Sequence, residues 1–225
     1  MMESFDGMDS YQDFSKKDLH SAINGILMDK YAGEAQLKYK LAHFFRKQKY
    51  QAGFEIKTNN ARADFLAING HTKCFEIKSE RDNLSRLKSQ LDSYAQIFEY
   101  IYIVGDRGNE KQLLELNYSR AGIWIFDGKK KIEIKPSELS TSIDPKKQLS
   151  ILTKKELQTT YKYNAAYDVL NKYDAIEINE KFKAALKNRY AKRWSFVQQR
   201  WDCILPFDLQ FFFNQNVDPN LIYSV

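Results

Sequence analysis

The chain of 225 residues contains only two cysteines, Cys74 and Cys203, and they lie far apart. A disulfide framework and a thiolate zinc site both need clustered cysteines, so neither is predicted. The three histidines, His20, His43 and His71, lack the spacing of a metal-binding helix motif. Chemistry based on sulfur or on paired imidazoles is therefore disfavoured.

Long apolar runs are also missing. No window approaches 18 consecutive apolar residues, and residues 1–17 are polar and partly acidic, unlike a signal peptide. We therefore expect a soluble cytoplasmic protein with no membrane partner. The net charge of +6 favours an anionic partner such as nucleic acid, but an excess of this size leaves the question open.

Hydrophobic periodicity predicts an α/β domain. Helical spacing marks residues 18–28 within an N-terminal lead-in (1–32), then 33–49, 82–98 with Asp82 as N-cap, and 109–117. Alternating or continuous apolar runs predict strands at 52–58, 62–68, 72–79, 100–104, 122–126 and 131–135. Residues 33–135 should therefore form a central mixed sheet flanked by helices.

A second region follows a change of composition. Ser, Thr, Asp and Pro dominate from Pro136 to Pro145, which predicts a domain boundary before a mainly helical region at 146–225. Thr153 and Glu156 form a capping-box pattern, a long helix is predicted at 179–201, and the tail should fold back onto the body. The basic residues of the long helix scatter around it, so a solvated face and a DNA-binding arm both remain open.

Three charged residues in the second and third strands suggest metal chemistry. Glu76 and Lys78 are two apart on one strand and share a face, and Asp64 lies on the neighbouring strand. Carboxylates of this kind hold Mg²⁺, here with help from the carbonyl of Ile77, and Lys78 can position or deprotonate a water or balance phosphate charge. The alternative is a solvent-facing pair on a strand.

This arrangement requires a particular register in the hairpin that joins the second and third strands. A two-residue loop of Asn69 and Gly70 would place Asp64 opposite Phe75 and turn Glu76 away. We therefore predict a three-residue connection, residues 69–71, or a bulge.

The order of these residues resembles the PD-(D/E)XK nuclease superfamily. A helix with Glu34, a strand with Asp64, a strand with Glu76-x-Lys78 and a helix with a Q-x-x-x-Y element match its pattern over residues 33–105. The sequence is similar to RecB-like members and to a little-characterised bacterial branch, although Ala63 stands where the motif's name has proline.

The resemblance implies a restriction-endonuclease-like core at 33–135 and hydrolysis of phosphodiester bonds with Mg²⁺ or Mn²⁺. DNA is favoured over RNA as the substrate, in repair, restriction or phage defence. Asp64, Glu76 and Ile77 would hold the metal, Glu34 would assist directly or through water, and Lys78 would orient the nucleophile. Supporting or substrate-binding roles fall to Gln90, Tyr94, Arg62, Arg86 and Lys88.

Two rival functions remain open. One is a catalytically inactive nucleic-acid-binding protein that keeps the nuclease fold. The other is a partner-binding protein whose aromatic C-terminal region forms an interface. The sequence does not separate monomer from dimer, or endonuclease from exonuclease.

Overall fold

The described residues form one mixed sheet whose six strands lie side by side in chain order. The computed structural model describes residues 16–30, 33–209 and 213. The strands are β1 (Gln51–Lys57), β2 (Arg62–Asn69), β3 (His71–Ile77), β4 (Tyr100–Asp106), β5 (Gly122–Asp127) and β6 (Lys130–Lys135). Pairing is antiparallel from β1 to β3, parallel from β3 to β5, and antiparallel again between β5 and β6.

Helices flank this sheet and make up the C-terminal region. They are α1 (Lys16–Lys30), α2 (Glu34–Arg46), α3 (Leu87–Ala95), α4 (Glu110–Glu115), α5 (Pro145–Ser150), α6 (Lys154–Tyr161), α7 (Ala166–Lys172) and α8 (Ala175–Gln199). Short 3₁₀ helices follow in the described part of the chain at Trp201–Cys203 and Pro206–Asp208. The predicted α/β architecture, a mixed sheet with flanking helices and a helical C-terminal region, is confirmed.

The hairpin between β2 and β3 has the predicted register. Asn69 and His71, the end residues of the two strands, pair around Gly70, so the connection is shorter than the predicted three residues. Gly70 takes a φ of 73° that suits glycine. Phe65 pairs with Phe75, and one further step places Asp64 opposite Glu76.

The core joins the sheet to both α2 and α8. Phe45 lies about one helical turn beyond Leu41 on α2. The centroid of its ring lies 5.5 Å from that of Phe65 and 5.4 Å from that of Phe75. On the α8 side, Trp194 is fully buried and meets Phe65 edge-on. The C-terminal region therefore shares the hydrophobic core of the sheet.

The stretch predicted as a domain boundary is hydrogen-bonded to the sheet domain. The backbone N–H of Ser140 donates to the carbonyl of Glu99, and that of Asp144 donates to the carbonyl of Gln96. Asp144 also caps α5, which the sequence did not predict.

Two helix starts differ from the predictions. The carboxylate of Asp82 accepts bonds from the backbone N–H and hydroxyl of Ser79, which closes a turn, so α3 begins only at Leu87 and the N-cap prediction was wrong. The long helix α8 begins earlier than expected because Asp174 and Glu177 form a capping box. The capping box of Thr153 and Glu156 is confirmed.

Within residues 16–30, 33–209 and 213, no helix has the length and apolar character needed to cross a bilayer. Of the predicted lead-in at 1–32, residues 1–15, 31 and 32 lie outside the described residues, as does most of the predicted returning tail. Of that tail, Leu209 and Phe213 are buried, and Phe213 contacts Phe54.

Candidate active site

Three acidic residues occupy one row across β1, β2 and β3. Phe54 pairs with Phe65 and Ile56 with Ala63, so Glu55 stands opposite Asp64, which in turn stands opposite Glu76. Glu55 itself has a φ of 56°, a left-handed conformation that costs a non-glycine residue roughly 1–2 kcal/mol. Such strain is concentrated at functional sites, and here it falls on a carboxylate at the end of the sheet.

The carboxylates of Asp64 and Glu76 are held by specific hydrogen bonds. Oδ2 of Asp64 accepts from the backbone N–H of Ile77 at 2.7 Å. Oε1 of Glu76 accepts from the Nζ of Lys78 at 2.7 Å, and Oε2 accepts from the hydroxyl of buried Tyr94 at 2.9 Å. Both acids are therefore fixed in orientation by neighbours on β3 and α3.

Burial and neighbouring charge disturb the ionisation of both acids. Burial, and then the charge of Glu76, raise the pKa of Asp64 well above its ordinary value. Burial also raises the pKa of Glu76, although Lys78 and Tyr94 oppose that rise. Paired acids with raised pKa values at one point are typical of catalytic and metal-binding centres.

A lysine from α2 lies among the remaining acids. The ammonium of Lys38 forms ion pairs with Glu34 and Glu55, and it lies 4.0 Å from Oδ1 of Asp64. Burial alone would lower the pKa of Lys38, but the charges of Asp64, Glu34 and Glu55 outweigh it and raise that pKa. Lys38 is therefore a buried cation, with only 3% of its side chain exposed.

The donor set fits a hard divalent cation. Glu34, Glu55 and Asp64 each offer a carboxylate oxygen, and these oxygens lie within 4.8 Å of one another. Mg²⁺ and Mn²⁺ prefer oxygen ligands of this kind.

The structure brings together most of the residues predicted for the site. Glu34 and Asp64 belong, with Glu55, to the group whose oxygens lie within 4.8 Å of one another. Glu76 faces Asp64 in the strand register and bonds Lys78 and Tyr94, but it lies outside that group, so its role as a metal ligand stays a prediction. The peptide of Ile77 also lies there, but the contact it makes is through its N–H to Asp64, so a ligand role for its carbonyl stays a prediction.

The residues predicted to bind substrate make fewer contacts with the clustered carboxylates. Arg62 is 63% exposed, and its Nε lies 2.5 Å from Oε2 of Glu55. Arg86 and Lys88 are exposed near the start of α3. Among the residues that the structure describes, the side chains of Gln90, Arg86 and Lys88 hydrogen-bond none of the clustered carboxylates.

Sequence reasoning missed three contributors: Glu55, Lys38 and Asn109. Glu55 had a usable signal, because it occupies the register position opposite Asp64 in a hairpin of predictable pairing. Lys38 follows Glu34 by one helical turn, a spacing that is also common on ordinary surfaces.

Asn109 fixes the backbone of Lys78. Its Nδ2 donates to the carbonyl of Lys78 at 2.6 Å, and its Oδ1 accepts from the N–H of Asp106 at 3.1 Å. This arrangement needs a glycine at position 105, since a Cβ there would collide with Oδ1 of Asn109 and with Leu113.

Gly105→Ala is therefore expected to displace Asn109 and to loosen Lys78, with a loss of about 1–3 kcal/mol in the free energy of unfolding. Thermal unfolding measures the effect. Gly25→Ala is the matched control, because a Cβ at that exposed helical position meets open space and should leave stability unchanged or raised. Equal melting temperatures for Gly105→Ala and the wild type would contradict the role given to Asn109.

Of the two interpretations left open for α8, the DNA-binding arm loses two of its cations to internal contacts. Arg189 makes a bidentate ion pair with Glu156, and Lys183 is buried against Glu99 and Glu180. These two side chains hold α8 to the body of the protein and are not free to bind phosphate.

Comparisons with known proteins give one structural neighbour to report and one family. No curated protein matches the chain. The solved structure of SPO1766, a protein of unknown function from Silicibacter pomeroyi, is similar over 64% of this chain and 98% of that one, with 15% identity and a TM-score of 0.44. The family described as bacteriophage P4 protein cII matches residues 28–212, which is most of the chain. The chain therefore belongs to the bacteriophage P4 protein cII family.

Proposed function

We propose that this protein is a metal-dependent nuclease that hydrolyses phosphodiester bonds in DNA. The observation that carries the proposal is the meeting of Asp64 of β2, Glu76 of β3 and Lys78, which follows β3, with Glu34 of α2 and Tyr94 of α3. Residues so far apart along the chain converge on one end of the sheet, at the carboxyl ends of the parallel strands β3 and β4.

Asp64, Glu76 and Glu34 would hold Mg²⁺ or Mn²⁺, joined by Glu55. The bound ion would supply Lewis acidity toward a phosphate oxygen and would lower the pKa of a bound water. Tyr94 fixes the orientation of Glu76, and the N–H of Ile77 fixes that of Asp64.

Lys78 contributes a fixed positive charge. Burial tends to lower its pKa, but Glu76 and Asp64 outweigh that effect and raise the pKa, so the ammonium form is favoured at neutral pH. Of the roles considered for Lys78, a charged group that orients the nucleophile and offsets phosphate charge fits better than a base that removes a proton.

DNA is the proposed substrate class. The net charge of +6 favours a polyanion, and Arg86 and Lys88 are exposed near the start of α3, where they can contact phosphates. A family named after a bacteriophage protein is compatible with action on DNA in a phage–host setting.

The test is incubation of the full chain with linear, circular and branched DNA in the presence of Mn²⁺. We expect cleavage by the wild type, abolition by chelation, and a loss of about a hundredfold in rate for Lys78→Ala, because one charge that stabilises the transition state is removed.

Lys111→Ala provides the matched control, since this lysine is 92% exposed on α4 and outside the cluster. Cleavage that persists in Lys78→Ala would place the activity elsewhere. Salt-sensitive DNA binding without cleavage would support the inactive nucleic-acid-binding protein, and a stable oligomer without DNA affinity would support the partner-binding protein.

A further inference from the structure

We propose that Lys38 is a built-in cation that occupies the metal position between Glu34, Glu55 and Asp64, and that a divalent ion must displace its ammonium to bind. The inference rests on the proposed metal centre. It adds that competition between the ammonium of Lys38 and the divalent ion would set the affinity of the centre for the ion. Lys38 would then be a positioning residue that acts through the carboxylates.

The geometry around the ammonium supports this exchange. The three carboxylates whose oxygens lie within 4.8 Å of one another are the same three that surround the Nζ of Lys38. A buried ammonium and a divalent ion cannot both occupy the space between these oxygens, because two cations there would repel at short range.

The charge balance supports it as well. Counted as ionised, the cluster contains four carboxylates and three cations: Glu34, Glu55, Asp64, Glu76, Lys38, Lys78 and Arg62. One negative charge remains while Lys38 is in place. Withdrawal of Lys38 leaves two, which matches the charge of Mg²⁺ or Mn²⁺.

The displaced ammonium has a route to solvent at the edge of the cluster. Glu34 lies one turn before Lys38 on α2, and its side chain is 50% exposed. The flexible stem of Lys38 can carry the ammonium past Glu34 into solvent, so the displaced charge need not stay buried among the carboxylates.

The experiment is a calorimetric titration of the full chain with MnCl₂ alone. Lys38→Met keeps the length and apolar stem of the side chain but removes the charge, so we expect Mn²⁺ affinity to rise about tenfold or more, the gain expected when about 1.4 kcal/mol of competition is removed. Without metal, the same variant should melt at a lower temperature than the wild type, and saturating Mn²⁺ should narrow or reverse that difference.

Lys40→Met is the matched control. Lys40 lies on the same helix and hydrogen-bonds Gln36, outside the carboxylate cluster, so this variant should bind Mn²⁺ as the wild type does. Lys38→Arg is the second variant. The guanidinium of this variant keeps the positive charge and can bind a carboxylate through two N–H groups. The variant should therefore bind Mn²⁺ more weakly than the wild type does.

A third measurement needs only wild-type protein. An ion-paired, buried ammonium gives a detectable NH₃⁺ signal in a chain labelled with ¹⁵N-lysine, and Mg²⁺ should shift or remove the signal of Lys38. A signal unchanged at saturating Mg²⁺ would overturn the exchange, even if neither variant folds.

The outcomes separate this inference from the nuclease proposal. If the wild type binds Mn²⁺ and Lys38→Met binds it equally or more weakly, the competition is wrong and the nuclease proposal stands. If neither chain binds Mn²⁺, both fail. Binding by Lys38→Met alone would support the competition, because the ammonium would then be what excludes the ion.

Discussion

Asp64→Asn is expected to lower the rate of Mn²⁺-dependent DNA cleavage by about a thousandfold. Asp64 would hold the ion together with Glu76, and the loss of a charged ligand removes several kcal/mol of transition-state stabilisation. The change is conservative in shape, because the amide oxygen can still accept the bond from the N–H of Ile77.

The same variant is expected to be more stable than the wild type at neutral pH. Burial and the charge of Glu76 raise the folded-state pKa of Asp64 well above 3.8, so ionisation of this group at neutral pH opposes folding. An asparagine removes that opposition. We expect a gain of about 1 kcal/mol, or about 2–4 °C in melting temperature.

The sign of the pH dependence follows from a raised pKa. The destabilisation is absent below the ordinary pKa of 3.8 and grows as pH rises toward the folded-state pKa. The difference in melting temperature between Asp64→Asn and the wild type should therefore vanish in acid and be largest at neutral or higher pH, with chelator present throughout.

Asp92→Asn is the control for both measurements. Asp92 is exposed on α3 and accepts a bond from the hydroxyl of Tyr118, which an amide can also accept. Neither cleavage nor stability should change beyond about 0.5 kcal/mol. An Asp64→Asn chain that cleaves DNA at the wild-type rate would remove Asp64 from the proposed centre.

The hairpin shows what the sequence determines at this site. Side chains alternate between faces along a strand, so placing Asp64 and Glu76 on one face requires an odd number of residues in the connection. The structure has that register, with Gly70 between the paired residues Asn69 and His71. The helices with strong apolar repeats were also predicted, because burial follows from spacing.

Other features depend on distant parts of the chain and leave little local trace. The left-handed conformation of Glu55 has no local signal, because glutamate is not one of the residue types that favour this region. The burial of Lys38 has no local signal either, since a lysine one turn after a glutamate is usually solvated. Asp82 shows the reverse case, in which a good capping residue bonds Ser79 in a turn instead.

Another buried carboxylate, that of Glu99, lies at the opposite end of β4 from the proposed site, and its pKa shifts in the opposite direction to that of Asp64. Its oxygens accept bonds from the N–H and hydroxyl of Thr72, from Asn179 and from Lys183 of α8, and His71 contacts it at 3.1 Å. Burial alone would raise the pKa of Glu99, but these partners outweigh it and lower that pKa. The charge of Glu99 therefore stabilises the fold, and it ties the hairpin and α8 together.

Glu99→Gln is accordingly expected to destabilise the protein by about 3 kcal/mol, or about 6–12 °C in melting temperature, because it removes the buried carboxylate and leaves the buried ammonium of Lys183 paired with the exposed Glu180. A lowered pKa means that the stabilisation is present above the ordinary value of 4.5 and is lost as pH falls through the folded-state pKa. The loss of stability in Glu99→Gln should therefore be full at neutral pH and shrink in acid.

Glu180→Gln is the control, since Glu180 is the exposed partner of the same lysine and its loss should cost less than about 1 kcal/mol. Measured well below the melting temperature, DNA cleavage by Glu99→Gln should stay near the wild-type rate. Equal stability of the two variants would contradict the buried pair, whereas opposite signs for Asp64→Asn and Glu99→Gln would distinguish an acid placed for chemistry from one placed for folding.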